Sequence, residues 1–263
     1  MSTILDGHFH VWPDAIAAKA LAQPAPDLVR HGDGTVAGAL ATMDASGIDQ
    51  AVVLGVANTA ELVDRANAFV GGLDRARFIP FGTIHPDLPP QENLDSLRRH
   101  GAMGVKIHPL FQHYALDDPK LWDVFEALAG EFPVIIHVGA GGESVAGGSC
   151  TPAMLRQVAE RFPTLDVIAC HFGGYRMIEE AESEVVGLPV HLDTSWPPSV
   201  AALGPDRVRA LIERHGPERI VFSSDWPMAD PAADIAFIRS LGLSDAETDG
   251  ILGGNLARLL KLG

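Results

Sequence analysis

Short β-branched apolar runs recur along this chain, each followed by a stretch with the apolar spacing of an amphipathic helix. The runs are Ile4–His10, Ala51–Val56, Phe78–Ile84, Gly104–His108, Val134–Val138, Val167–His171, Val190–Thr194 and Ile220–Asp225. The spacing predicts helices over Val36–Ser46, Thr59–Leu73, Gln91–His100, Pro119–Gly130, Pro152–Phe162, Met177–Val186, Asp206–His215 and Asp230–Leu241, with a last one inside Ser244–Leu262. Strands apolar on both faces belong in a parallel sheet covered by helices. Eight such units in 263 residues predict a single (β/α)8 TIM barrel over residues 1–263, slightly distorted and with an extra C-terminal helix. An open doubly wound sheet is the alternative. Pro80 lies inside the third run and lacks a ladder donor, so that strand is expected to start after it.

Charge and motif content narrow the function. With 19 Lys plus Arg against 34 Asp plus Glu, the net charge of −15 repels phosphate backbones and anionic lipid alike. No nucleic-acid or membrane partner is expected. No glycine-rich phosphate cradle opens a helix, which removes dinucleotide and P-loop readings. The two cysteines, Cys150 and Cys170, make neither a disulfide framework nor a CxxC knuckle, and the first residues carry no basic or apolar signal pattern. A cytoplasmic protein is expected, and a homo-oligomer is left open. The stretch Gly139–Ser149, rich in small residues, is expected to be a mobile loop after the fifth strand.

Barrel enzymes carry their chemistry at the C-terminal ends of the strands. Here those ends hold His8 and His10 on strand one, Lys106 and His108 on strand four, His137 on strand five, His171 on strand six and Asp225 on strand eight. Period-two alternation turns His8 and His10 to one face and Phe9 to the other. The same parity argument sends Cys170 towards the helices as a small core residue. Several buried imidazoles and a carboxylate are costly unless a cation or a dense hydrogen-bond network compensates them. Imidazoles plus a carboxylate suit Zn2+, about one ion per chain, with Mn2+ or Fe2+ as alternatives.

Five stations, Asp6-Gly-His-Phe-His, Ile-Ile-His137, Cys-His171-Phe-Gly-Gly, Ser-Ser-Asp225-Trp-Pro and the closing Ile251-Leu-Gly-Gly-Asn-Leu-Ala-Arg-Leu-Leu, run in order from residue 6 to 260. Together they resemble the amidohydrolase superfamily, in its branch of metal-dependent hydrolases, lactonases and aromatic-acid decarboxylases. The resemblance implies His8, His10, His137 and Asp225 as metal ligands, Asp225 also as proton shuttle, and His171 as a substrate-polarising group. It further implies one metal with an unmodified Lys106, over a carboxylated Lys106 bridging two metals.

Lys106, His108, Tyr175, Arg176 and Trp196 are candidate contacts for a small-molecule substrate, with His85 and His113 further out. The expected function is a zinc-dependent hydrolase of a small amide, ester or lactone, acting through a metal-activated water. The alternative is a metal-dependent decarboxylase of an aromatic or unsaturated carboxylic acid, whose carboxylate Lys106 or Arg176 would grip.

Overall fold

A computed structural model describes residues 3–22, 28–140 and 149–262. The chain runs β1 (Leu5–Phe9), α1 (Asp14–Leu21), α2 (Val36–Ser46), β2 (Gln50–Leu54), α3 (Val63–Gly71), β3 (Phe78–Thr83) and α4 (Pro90–Arg99). It continues through β4 (Gly104–Ile107), α5 (Pro109–Gln112), α6 (Trp122–Leu128), β5 (Val134–Ile136), α7 (Pro152–Arg161), β6 (Val167–Ala169) and α8 (Ile178–Glu184). The last elements are β7 (His191–Asp193), α9 (Pro205–His215), β8 (Ile220–Val221), α10 (Pro231–Ser240), α11 (Asp245–Asp249) and α12 (Asn255–Leu259).

The strands lie in one parallel sheet in the order β1 to β8. Backbone bonds join β1 to the segment continuing β8: Gly7 N donates to Phe222 O at 2.9 Å, and His10 N to Trp226 O at 2.8 Å. Sheet order, this join and the helix after every strand make the (β/α)8 fold expected from the sequence, with α12 as the C-terminal helix. Among the described residues no helix is long and apolar enough to cross a membrane.

The expectation for Pro80 is corrected, because β3 begins at Phe78. The β3–β4 ladder starts only at Phe81 opposite Gly104, and Pro80 contributes its carbonyl, which accepts from Met103 N at 2.8 Å. The donor that proline lacks would fall ahead of that ladder, so its absence costs no ladder bond there. Gly104 is required at this point, since a Cβ would stand 2.3 Å from the Phe81 ring.

By its contacts the chain falls into two compact units. The first comprises Met1–Val53, Asp74–Ile79 and Asp193–Gly263. Its core includes Phe9 and Trp226, both fully buried and stacked at 5.0 Å, as the outward parity of Phe9 requires. The second comprises Leu54–Leu73 and Pro80–Leu192. There the buried Asn67 amide joins α3 to β3, accepting from Thr83 N at 2.6 Å and donating to Thr83 O at 3.1 Å. Within Gly139–Ser149, residues 141–148 lie outside the described residues, and the loop expectation with them.

Candidate metal centre

In the first unit three side chains converge. His8 sits on β1 and His10 one residue past its end, while Asp225 stands beyond β8 at a left-handed φ of 67°. His8 Nε2 lies 3.1 Å from His10 Nε2, and Asp225 Oδ1 lies 3.5 Å and 3.2 Å from those two nitrogens. Backbone pairing sets this up, since Asp225 N donates to His8 O at 2.9 Å. Both imidazoles thus turn a ring nitrogen to one carboxylate oxygen, as the alternation along β1 predicts.

Around this triad are groups that orient it. His8 Nδ1 is 2.9 Å from Asp193 Oδ2, a pairing that places the ring proton on Nδ1 and leaves the Nε2 lone pair facing His10 and Asp225. Asp193 Oδ1 in turn accepts from Ser195 N at 3.1 Å and Ser195 Oγ at 2.6 Å. Asp6, fully buried, accepts from His8 N at 2.9 Å and Ser224 N at 3.1 Å through Oδ1, pinning β1 to the segment that carries Asp225. Burial pushes the Asp6 carboxyl up to about 7, against the lowering effect of those hydrogen bonds. Sequence reasoning missed Asp6, Asp193 and Ser195 as site groups. Asp193 was findable, because it is the last residue of β7 and strand ends were the criterion.

In the second unit His108, His137 and His171 come together. The His108 and His137 rings stack at 4.0 Å with 10° between planes, and His137 Nδ1 is 3.0 Å from His171 Nε2. Tyr175 packs 5.1 Å from the His171 ring, and the Arg176 guanidinium lies 5.3 Å from the Tyr175 ring centre. Lys106, on β4 and fully buried, donates from Nζ to Cys170 Sγ at 3.2 Å. This corrects the facing expected for Cys170, whose Sγ meets the strand-four lysine, while its full burial is that of the small core residue expected. The physical reason is that β6 ends at Ala169 and His171 and Phe172 take left-handed φ of 61° and 50°, so strand alternation does not extend to them. Trp196 lies past β7 in the first unit and is buried; His85, after β3, is held by Asn93, while His113 follows α5 at a left-handed φ of 61°.

The donor set of the first unit fits a divalent ion. Two imidazole nitrogens and a carboxylate oxygen, mutually within 3.5 Å, place their lone pairs where only a proton or a cation relieves them. His8, His10 and Asp225 are the residues that would hold it.

A family model described as Amidohydrolase matches residues 5–262. No curated protein matches. Among solved structures, the chain is similar to 5-carboxyvanillate decarboxylase from Sphingomonas paucimobilis, with 20% identity, a TM-score of 0.75 and 100% of both chains covered. It is also similar to a dihydroxybenzoic acid decarboxylase from Polaromonas sp. JS666 with bound manganese and the inhibitor 2-nitroresorcinol, at 18% identity, TM-score 0.73, covering 100% of this chain and 98% of that one. A proposed 2-pyrone-4,6-dicarboxylic acid hydrolase from Pseudomonas putida matches at 17% identity, TM-score 0.70, with 99% and 98% covered. At these identities the likeness is one of fold.

Proposed function

The chain belongs to the amidohydrolase family, and from that premise we propose that it is a divalent-metal-dependent decarboxylase of a small aromatic or unsaturated carboxylic acid. The observation that carries metal dependence is the His8–His10–Asp225 triad. Decarboxylation is preferred to the amide, ester or lactone hydrolysis that the sequence puts first, because decarboxylases recur among the solved structures this fold is similar to, two of them with manganese. Manganese therefore stands beside zinc as the proposed ion.

A bound divalent ion would supply Lewis acidity to the oxygens of the acid. The chain's own groups do the rest. His8 is held in one tautomer by Asp193, and Asp6 keeps β1 in register with the Asp225 segment. The C–CO2 bond breaks with its electron pair left on the ring carbon, which takes a proton drawn from solvent that Asp225 is proposed to relay, and CO2 leaves. Lys106 and Arg176 are proposed to supply the cationic charge a carboxylate substrate needs and Tyr175 an aromatic contact for a planar one, with His108, stacked on His137, kept as a further proposed contact. Trp196 stays a proposed substrate contact. His137 as a further ligand and His171 as the substrate-polarising group remain proposals of the family resemblance, to be tested one residue at a time.

The test is a panel of hydroxybenzoates and pyrone carboxylates incubated with the Mn2+-loaded or Zn2+-loaded protein, with headspace CO2 and ring-opened product measured together. CO2 release equimolar with a decarboxylated ring supports the proposal. Ring opening without CO2 replaces it with the hydrolase.

A further inference from the structure

The side-chain amide of Gln112 joins three strand exits in the second unit. Gln112 is the last residue of α5 and 2% exposed. Its Oε1 accepts from His108 N at 2.8 Å and from the Tyr114 hydroxyl at 2.7 Å. Its Nε2 donates to Ala57 O at 3.0 Å and Ile84 O at 2.8 Å, with Thr83 Oγ1 at 3.4 Å. Those partners lie past β2, at the end of β3 and after it, and after β4. Both lone pairs and both hydrogens of the amide are in use. Burial holds the Tyr114 hydroxyl protonated, well above its ordinary range, so it stays a donor.

One of these bonds reaches the chemistry. His108 is the residue whose ring lies flat on His137, and His137 is the residue whose Nδ1 faces His171. We infer that Gln112 is a positioning residue for the three-histidine cluster: by holding the His108 backbone it fixes the His108 ring, and through that stack the orientation of His137 towards His171. The inference rests on the proposed function only in taking His137 and His171 as reaction-bearing groups.

A comparator exists in the same unit. Asn93 is fully buried and clamps the loop after β3, accepting from His85 N at 3.0 Å and donating to His85 O at 3.1 Å and Leu88 O at 3.3 Å, without touching His108. Removing either amide leaves buried partners unmet and lowers stability. Only Gln112 should alter the cluster.

The experiment records histidine-ring 1H–15N correlations and melting temperature on zinc-loaded Gln112→Met, Gln112→Glu and Asn93→Leu, with signals assigned through His137→Asn and His171→Asn. Gln112→Met is expected to move the His137 and His171 ring signals, Asn93→Leu to leave them in place, and both to lower the melting temperature. Gln112→Glu, buried and protonated, keeps the acceptor for His108 N and one donor for the Ala57 or Ile84 carbonyl, and is expected to hold those signals near their wild-type positions. A Gln112→Met spectrum unchanged at His137 and His171, an Asn93→Leu spectrum changed equally, or a Gln112→Glu spectrum like that of Met overturns the inference. If Gln112→Met does not fold, Gln112→Asn, whose amide is one methylene too short to keep the His108 N bond, takes its place under the same criteria. Absence of CO2 release would sink the decarboxylase reading without touching this result.

Discussion

Asp225 and His171 both sit in the left-handed backbone region, at φ 67° and 61°, where Asn is among the few residues tolerated. Asn at either position therefore tests chemistry with little cost to the fold. Asp225→Asn keeps a carbonyl oxygen for the ion but cannot carry the proton, so turnover should fall about 10²–10⁴-fold while metal analysis still finds most of the ion. His171→Asn should lower turnover with near-normal metal content. His8→Ala should instead abolish most metal retention, and Asp193→Asn should weaken metal affinity about 10–100-fold by releasing the His8 tautomer. Retention of full metal by His8→Ala would remove the triad from the mechanism. The His8–His10 pairing was legible because both lie on or next to a regular strand, where parity holds. Cys170 was misread because parity was carried past the end of β6, and no residue type announces where a strand stops.

Every expected strand exists, but most end earlier than the apolar runs suggest: β5 closes at Ile136, β6 at Ala169 and β8 at Val221. The polar stations lie just past those ends, held by cross-bonds such as Asp225 N to His8 O that no local pattern encodes. Helix α2 matches its expected span end to end, with Thr35 accepting from Gly38 N as cap and a left-handed Gly47 as stop, signals visible in sequence. Helices α1 and α5 were not expected; α5 has four residues, too few for a period. The single helix expected within Ser244–Leu262 is broken by a π turn over Gly250–Gly254, where a Cβ on Gly253 would stand 2.3 Å from Thr3 O. Helix α10 gives a test of its own. Its buried Asp234 accepts from Ser199 Oγ at 2.9 Å and Val200 N at 3.3 Å, its Oδ2 has no partner, and burial pushes its carboxyl up to about 7, with Asp230 adding to the rise. A carboxyl raised above its ordinary 3.8 favours the fold while protonated, so its contribution is full below pH 4 and is lost as pH climbs through 7. Asp234→Asn keeps an acceptor for Ser199 and Val200 without the ionisation. Denaturant titrations at pH 5 and pH 8 should show wild type losing more stability than the variant, by on the order of 2–4 kcal/mol at ~1.4 kcal/mol per pKa unit. Equal losses would mean that Asp234 ionises as freely in the fold as in the unfolded chain.

Metal removal asks whether the ion builds the fold or only uses it. The strands bury side chains such as Val53, Phe81, Ile107, Ile136, Leu192 and Val221 almost completely, and none of that apolar packing depends on His8, His10 or Asp225. The chelator-stripped protein is therefore expected to keep its far-UV dichroism and a cooperative melt. Restored Mn2+ or Zn2+ binds the folded state only, so at 100 times its Kd it should add about 2.7 kcal/mol, which in a chain of this size raises the melting temperature by roughly 5 °C. At a net charge of −15 the chain's exposed carboxylates also attract divalent cations. His8→Ala separates the two sources: it leaves the net charge as it was and removes one of the three converging ligand atoms. A metal-dependent shift present in wild type and absent from His8→Ala places the ion on the triad. An equal shift in both would assign the stabilisation to diffuse surface binding, and collapse of the stripped wild-type protein would make the ion part of the fold.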